Sequence, residues 1–163
     1  MVAFNMQEQR VFFRQESADR IDFRALGESL NSVNLGAVDF KRFAVKNSET
    51  AFLTELLAKE LPTAGPRPDA VIFAGPKAML TGNVPEEDLK RLGDLDYPLF
   101  YMNYVLNPQA QPWRDAIGSA VKFFKGTEFT ISRPRDLWYA VSEMVMRIVK
   151  SRNGKQVASV SSK

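Results

Sequence analysis

Pro68-Asp-Ala-Val-Ile-Phe-Ala-Gly-Pro76 decides how the chain is read. Its apolar residues, Ala70 to Ala74, follow one another without polar alternation and are closed off by Pro/Asp before and Gly/Pro after. That is the pattern of a central strand covered on both faces in a parallel sheet. Helical patterns flank it at Glu49 to Leu61 and Pro85 to Leu92. The local order is therefore helix, strand, helix, the repeating unit of an open α/β fold.

Downstream, Tyr97 to Leu106 is a second near-continuous apolar run, with a buried strand expected at Leu99 to Met102. Asn103, Asn107, Pro108 and Pro112 mark the loop after it. Trp113, Ile117, Ala120, Val121 and Phe124 then trace a helix face that ends at Gly126. Thr127 to Ile131 alternates as a strand. Ser132 can cap a last helix, with Pro134 and Asp136 in its first turn and Leu137, Val141, Met144, Val145 and Ile148 inward.

Upstream, Arg10-Val-Phe-Phe-Arg14 reads as the first strand, and Ile21, Phe23, Leu26, Leu30 and Val33 as the face of a first helix. Ala37 to Val45 reads as an edge strand, followed by a helix burying Phe52, Leu53, Leu56, Leu57 and Leu61 and stopped by Pro62. Pro85 suits a first helical position, with Glu86, Glu87 and Asp88 at the positive end of the dipole. Five β-α repeats predict an α/β domain over 1–150. Its expected form is three-layered: a mainly parallel five-stranded sheet with helices on both faces, in flavodoxin-like order 2-1-3-4-5. Residues 151–163 read as a polar, Ser-rich, disordered tail.

The chain has 163 residues, no Cys and no His. Without His there is no Ser-His-Asp triad, imidazole base or His-ligated metal; without Cys there is no thiol nucleophile, iron–sulfur cluster or disulfide. Catalysis would have to use carboxylates, Lys, Tyr, Ser or a hard cation. The 22 Lys and Arg against 19 Asp and Glu are spread along the chain. The basic residues Lys150, Arg152 and Lys155 read as a solvated helix end, so no nucleic-acid partner is expected. No run approaches the length of a membrane span and no leader-like segment opens the sequence, so a soluble protein is expected, cytoplasmic, or envelope or secreted if a leader has been removed.

Ligands of such sheets sit beyond the carboxyl ends of the strands. That selects Arg14, Gln15, Glu16, Ser17 and Asp19 after the first strand, and Gly75, Pro76 and Lys77 after the third. It also selects Asn103, Tyr104 and Asn107 after the fourth, and Ser132 and Arg133 after the fifth. Gly75-Pro-Lys77 invites comparison with a phosphate loop, but Pro76 lacks the N–H such a cradle needs, and a structural turn is the simpler reading. Glu16 and Asp19 with Asn103 could hold a hard cation, but the simpler reading is that Asp19 or Asp22 caps the first helix and Glu16 is solvated. No metal or cofactor is expected. Trp113 and Trp138 read as core or core-rim residues, and Met144 and Met146 as helix packing.

The closing segment Gly126-Thr-Glu-Phe-Thr-Ile-Ser-Arg-Pro-Arg-Asp-Leu137, a strand, a Ser/Pro turn and a helix beginning Asp-Leu, resembles the last strand and helix of von Willebrand factor A-type domains. Those domains carry a D-x-S-x-S metal motif after the first strand, where this chain has Gln15-Glu-Ser-Ala-Asp19; Ser17 alone is compatible, so metal-dependent adhesion does not transfer. The run Pro68 to Gly75 is also similar to strands of periplasmic binding-protein-like domains.

These readings predict a non-enzymatic α/β binding or protein-interaction module. The alternative is an enzyme or small-ligand-binding domain using carboxylates or Lys77 at the strand tips. The 12 Phe, 4 Tyr and 2 Trp, with the lightly protected edge at Ala37 to Val45, leave aromatic surface to share with another protein or a second copy, or else fill a rich core.

Overall fold

Two short strands near the amino terminus turn back on each other. In the computed structural model, which describes residues 1–6, 8–15, 22–31, 48–61, 67–76, 83–104 and 115–160, β1 (Val2–Asn5) pairs antiparallel with β2 (Arg10–Arg14). The connection is too short for a crossover, which parallel pairing requires. Asn5 Oδ1 accepts the Glu8 N–H at 3.2 Å, and Gln9 takes a positive φ of 51° to close the turn. Asp22 then caps α1 (Phe23–Asn31): its Oδ1 accepts the Ala25 N–H at 2.9 Å.

The parallel sheet comes later and is smaller than the sequence suggested. α2 (Ser48–Glu60) precedes β3 (Val71–Pro76), α3 (Glu86–Arg91), β4 (Leu99–Tyr104), α4 (Ala116–Phe123), β5 (Thr127–Ile131) and α5 (Pro134–Val160). The strands form one two-stranded sheet, β1-β2, and one three-stranded sheet, β3-β4-β5. The expected five-stranded parallel sheet in flavodoxin-like or von Willebrand-like order is therefore incorrect. Hairpin closure takes the first strand out of it, and the strand expected at Ala37 to Val45 lies outside the described residues.

Strand order also corrects the reading of Pro68 to Pro76. β3 pairs in parallel with β4, and β4 with β5, so β4 is central and β3 is an edge among the described residues. Accordingly β4 is buried along most of its length, whereas Ile72 and Ala74 of β3 are exposed.

Alternation along β4 divides the core in two. Leu99 and Tyr101 join Phe73 and the inward side chains of α2, α3 and α4, against which Val2, Phe4 and Val11 of the hairpin pack. Arg14 of β2 adds an ion pair with Glu60 of α2. Phe100 joins Phe129, Ile131, Ala140 and Met144 in a second cluster beneath α5. Burying such side chains contributes about 1.5–3 kcal/mol each before entropy is subtracted.

α5 runs to Val160, through most of the segment read as a tail. Its Ala140, Met144 and half-buried Ile148 form the stripe that meets the sheet. Leu137, Val141 and Val145, expected inward, are exposed, as are Trp138, Tyr139, Met146 and Val149. Trp138 is 76 % exposed and is no core residue. The three described strands of this sheet cover one stripe of the helix, whereas a broader sheet would have covered more of it.

Candidate functional site

Register builds a polar row at the carboxyl end of the parallel sheet. Gly75, Asn103 and Thr130 are aligned across the three strands, and Phe73, Tyr101 and Glu128 stand one row below. Residues two apart in a strand share a face, so Tyr101, Asn103, Glu128 and Thr130 stand on one side of the sheet, and Gly75 leaves its place there without a side chain.

Asn103 is the single buried polar side chain among the described residues, with 0 % exposure. Its Nδ2 donates to the Glu128 carboxylate and lies 3.4 Å from Thr130 Oγ1. The carboxylate accepts only, which fixes the amide's orientation. Its Oδ1 is buried and has no hydrogen-bond partner among the described residues. Such an orphaned acceptor costs about 1–3 kcal/mol. Beside it, a Cβ added at Gly75 would meet no described heavy atom within 4 Å.

Tyr101 and Asp115 complete the group. The Tyr101 hydroxyl lies 3.4 Å from the Pro76 carbonyl oxygen. Burial, then the charge and hydrogen-bond acceptance of the Asp115 carboxylate, then the charge of Glu128, hold the phenol protonated far above the usual tyrosine range. Asp115 sits just before α4 in extended conformation, and its carbonyl accepts the Ser119 N–H at 2.8 Å. Gly118 makes room for the carboxylate: a Cβ there would stand 3.1 Å from Asp115 Oδ2. The cluster thus offers two carboxylates, an amide oxygen and a main-chain carbonyl.

Of the residues selected from sequence, Gly75, Pro76 and Asn103 lie in this cluster. Tyr104 does not: β4 continues through it, so it faces the α5 side, half-buried beside Phe129 and Ile131. Ser132 and Arg133 are exposed, and their N–H groups donate to Asp136 Oδ2 at 3.2 and 2.9 Å. Arg14 and Gln15 are engaged elsewhere, with Glu60 and with the Asp22 N–H. Glu16, Ser17, Asp19, Lys77 and Asn107 lie outside the described residues. Selection by loop missed Tyr101, Glu128, Thr130 and Asp115. The alternation of Glu128 and Thr130 with Phe129 and Ile131 carried the signal, once registered against Tyr101 and Asn103.

A second feature is the outward side of α5. Trp138, Val141, Val145 and Val149 follow at spacings of three, four and four, and Tyr139 and Met146 stand beside them. Trp138 and Tyr139 are 76 % and 68 % exposed. Arg152 leaves this side to pair with Asp69 at the approach to β3, which puts exposed Ile72 and Ala74 on the same flank.

No group of three or more acidic residues that could hold a metal ion occurs among the described residues, and no described helix is long and apolar enough to cross a membrane. Comparison with models of known families, with curated proteins and with solved structures gives no match.

Proposed function

We propose that this chain is a non-enzymatic protein-interaction module that pairs with a second copy of itself through the outward stripe of α5. The carrying observation is the exposure of Trp138 and Tyr139 on a helix whose opposite needs are already met by Ala140 and Met144. The two rings alone present roughly 300 Å² of aromatic surface, and monomers rarely leave larger contiguous apolar patches in water. Spacings of three and four are those by which one helix packs on another. A two-fold contact needs only one self-complementary stripe. Two antiparallel α5 helices centred on Val145 set Val141 of one copy against Val149 of the other, each four residues from the centre.

Light scattering at about 50 µM, in the range where modest interfaces associate, tests this. The expected mass is that of two chains, falling to one chain for Trp138→Lys and Val145→Lys with unchanged circular dichroism. A single-chain mass for the unaltered protein overturns the self-pairing.

A further inference from the structure

We infer that Met146 is a modification site for hydroperoxides, and that oxidising its thioether to the sulfoxide separates the two copies paired through α5. The inference rests on the self-pairing proposed above. Two methionines stand two positions apart on α5 in opposite surroundings. Met144 is 4 % exposed and packs in the cluster with Phe100, Phe129 and Ala140, whereas Met146 is 52 % exposed. Two residues along a helix make a rotation of about 200°, so one sulfur faces the sheet and the other faces out. Met146 also adjoins exposed Val145, the centre of the antiparallel pairing, and lies within a turn of exposed Val149. Two-fold symmetry then brings the Met146 of both copies to the middle of the contact.

The chain has no Cys, so no thiol competes for the oxidant and the thioethers are its softest nucleophiles. A sulfur lone pair attacks one oxygen of hydrogen peroxide and the O–O bond breaks. The sulfur is oxidised by two electrons to S=O, and the other oxygen leaves as water. The thioether is apolar; the sulfoxide is polar and a strong acceptor. Burying it against Val145 and Val149 of the pair strips its oxygen of water that a single chain leaves in place. Pairing is weakened at least about tenfold. The hold of α5 on the sheet is untouched, since Ala140 and Met144 carry it. Met1 is also exposed, but it precedes β1 and its oxidation leaves the α5 stripe unaltered.

The test treats the full chain with hydrogen peroxide, following methionine conversion by peptide mass and association by light scattering. Met146 should gain one oxygen at least about ten times faster than Met144, and the mass at about 50 µM should fall from two chains to one. Met146→Leu keeps volume and apolar character, so it should stay at two chains before and after the same treatment, with Met1 oxidised in both proteins. Reduction by the two methionine sulfoxide reductases, one for each epimer, with a dithiol that ends as a disulfide, should restore the two-chain mass. A paired mass that persists with Met146 converted overturns this inference and leaves self-pairing standing, as does equal conversion of Met144 and Met146 in folded protein. Loss of the paired mass in treated Met146→Leu, or no recovery after reduction, also overturns it. A single-chain mass before any peroxide removes self-pairing, and the inference falls with it.

Discussion

Arg152 grips Asp69 through two parallel bonds, Nε and Nη2 each 2.7 Å from a carboxylate oxygen, across 83 residues of sequence. The pair pins the far half of α5 to the segment that leads into β3. Both side chains are more than half exposed, so solvent screening limits its worth to about 1 kcal/mol or less despite the bidentate geometry. Arg152→Ala should therefore barely move the global unfolding midpoint, yet speed amide exchange in α5 from Val149 onward. Unchanged exchange there would show that the pair holds nothing in place.

The turn from α4 to β5 yields two substitutions of opposite sign. Gly126 donates its N–H to Val121 O at 2.8 Å, and a Cβ on it would fall 2.7 Å from Val121 Cγ1 and 2.8 Å from Leu99 O. Gly126→Ala must push backbone aside and should cost about 1–3 kcal/mol in urea unfolding. Lys125 just before it holds a positive φ of 57°. Lys125→Gly relieves that strain and should recover about 1 kcal/mol. If both changes destabilise, the left-handed turn is not as described.

Much of the parallel part was legible because its signals are local. β5 occupies the predicted Thr127 to Ile131, and β3 and β4 start within a residue of their predicted positions. Val2 to Asn5 was not legible as a strand. It is four residues long, and its turn is closed by Asn5 and Gln9, with neither Gly nor Pro to announce it. Pairing was not legible at all, since an apolar run says that a strand is buried and not which neighbours bury it. The same gap explains the site. Asn103 could be named from its place after an apolar run, but its partners Tyr101, Glu128 and Thr130 lie inside strands and meet it only through register.

Acid should loosen the start of α5 as it titrates one carboxylate. Against a desolvation cost that would raise it, the Asp136 carboxyl is held below its ordinary range by the Ser132 N–H, the Arg133 side chain and the Arg133 N–H. The folded form thus binds a proton less readily than the unfolded chain. Its contribution to stability is complete above about pH 4 and is lost as pH falls through the lower folded value. Asp136→Asn should flatten that part of the stability curve while leaving the neutral-pH fold intact. An unchanged acid limb in urea titrations from pH 5 to about 2 would remove this carboxylate from the account.

The two stripes of α5 separate in one paired experiment, because Met144 and Val145 are adjacent in sequence yet face opposite needs. Met144 is 4 % exposed and packs in the cluster with Phe100, Phe129 and Ala140, whereas Val145 is 53 % exposed. Met144→Ala leaves a cavity against the sheet and should cost about 2–4 kcal/mol at any protein concentration. Val145→Ala removes little packing from a single chain, and alanine's better helix propensity offsets about half a kcal/mol of that. In dilute solution its effect should stay within about 0.5 kcal/mol. If α5 pairs with a second copy, the Val145→Ala penalty grows as protein concentration rises, since dissociation then accompanies unfolding. A large penalty for Val145→Ala in dilute solution would mean that this stripe is already covered within the chain, and the outward face would no longer call for a partner.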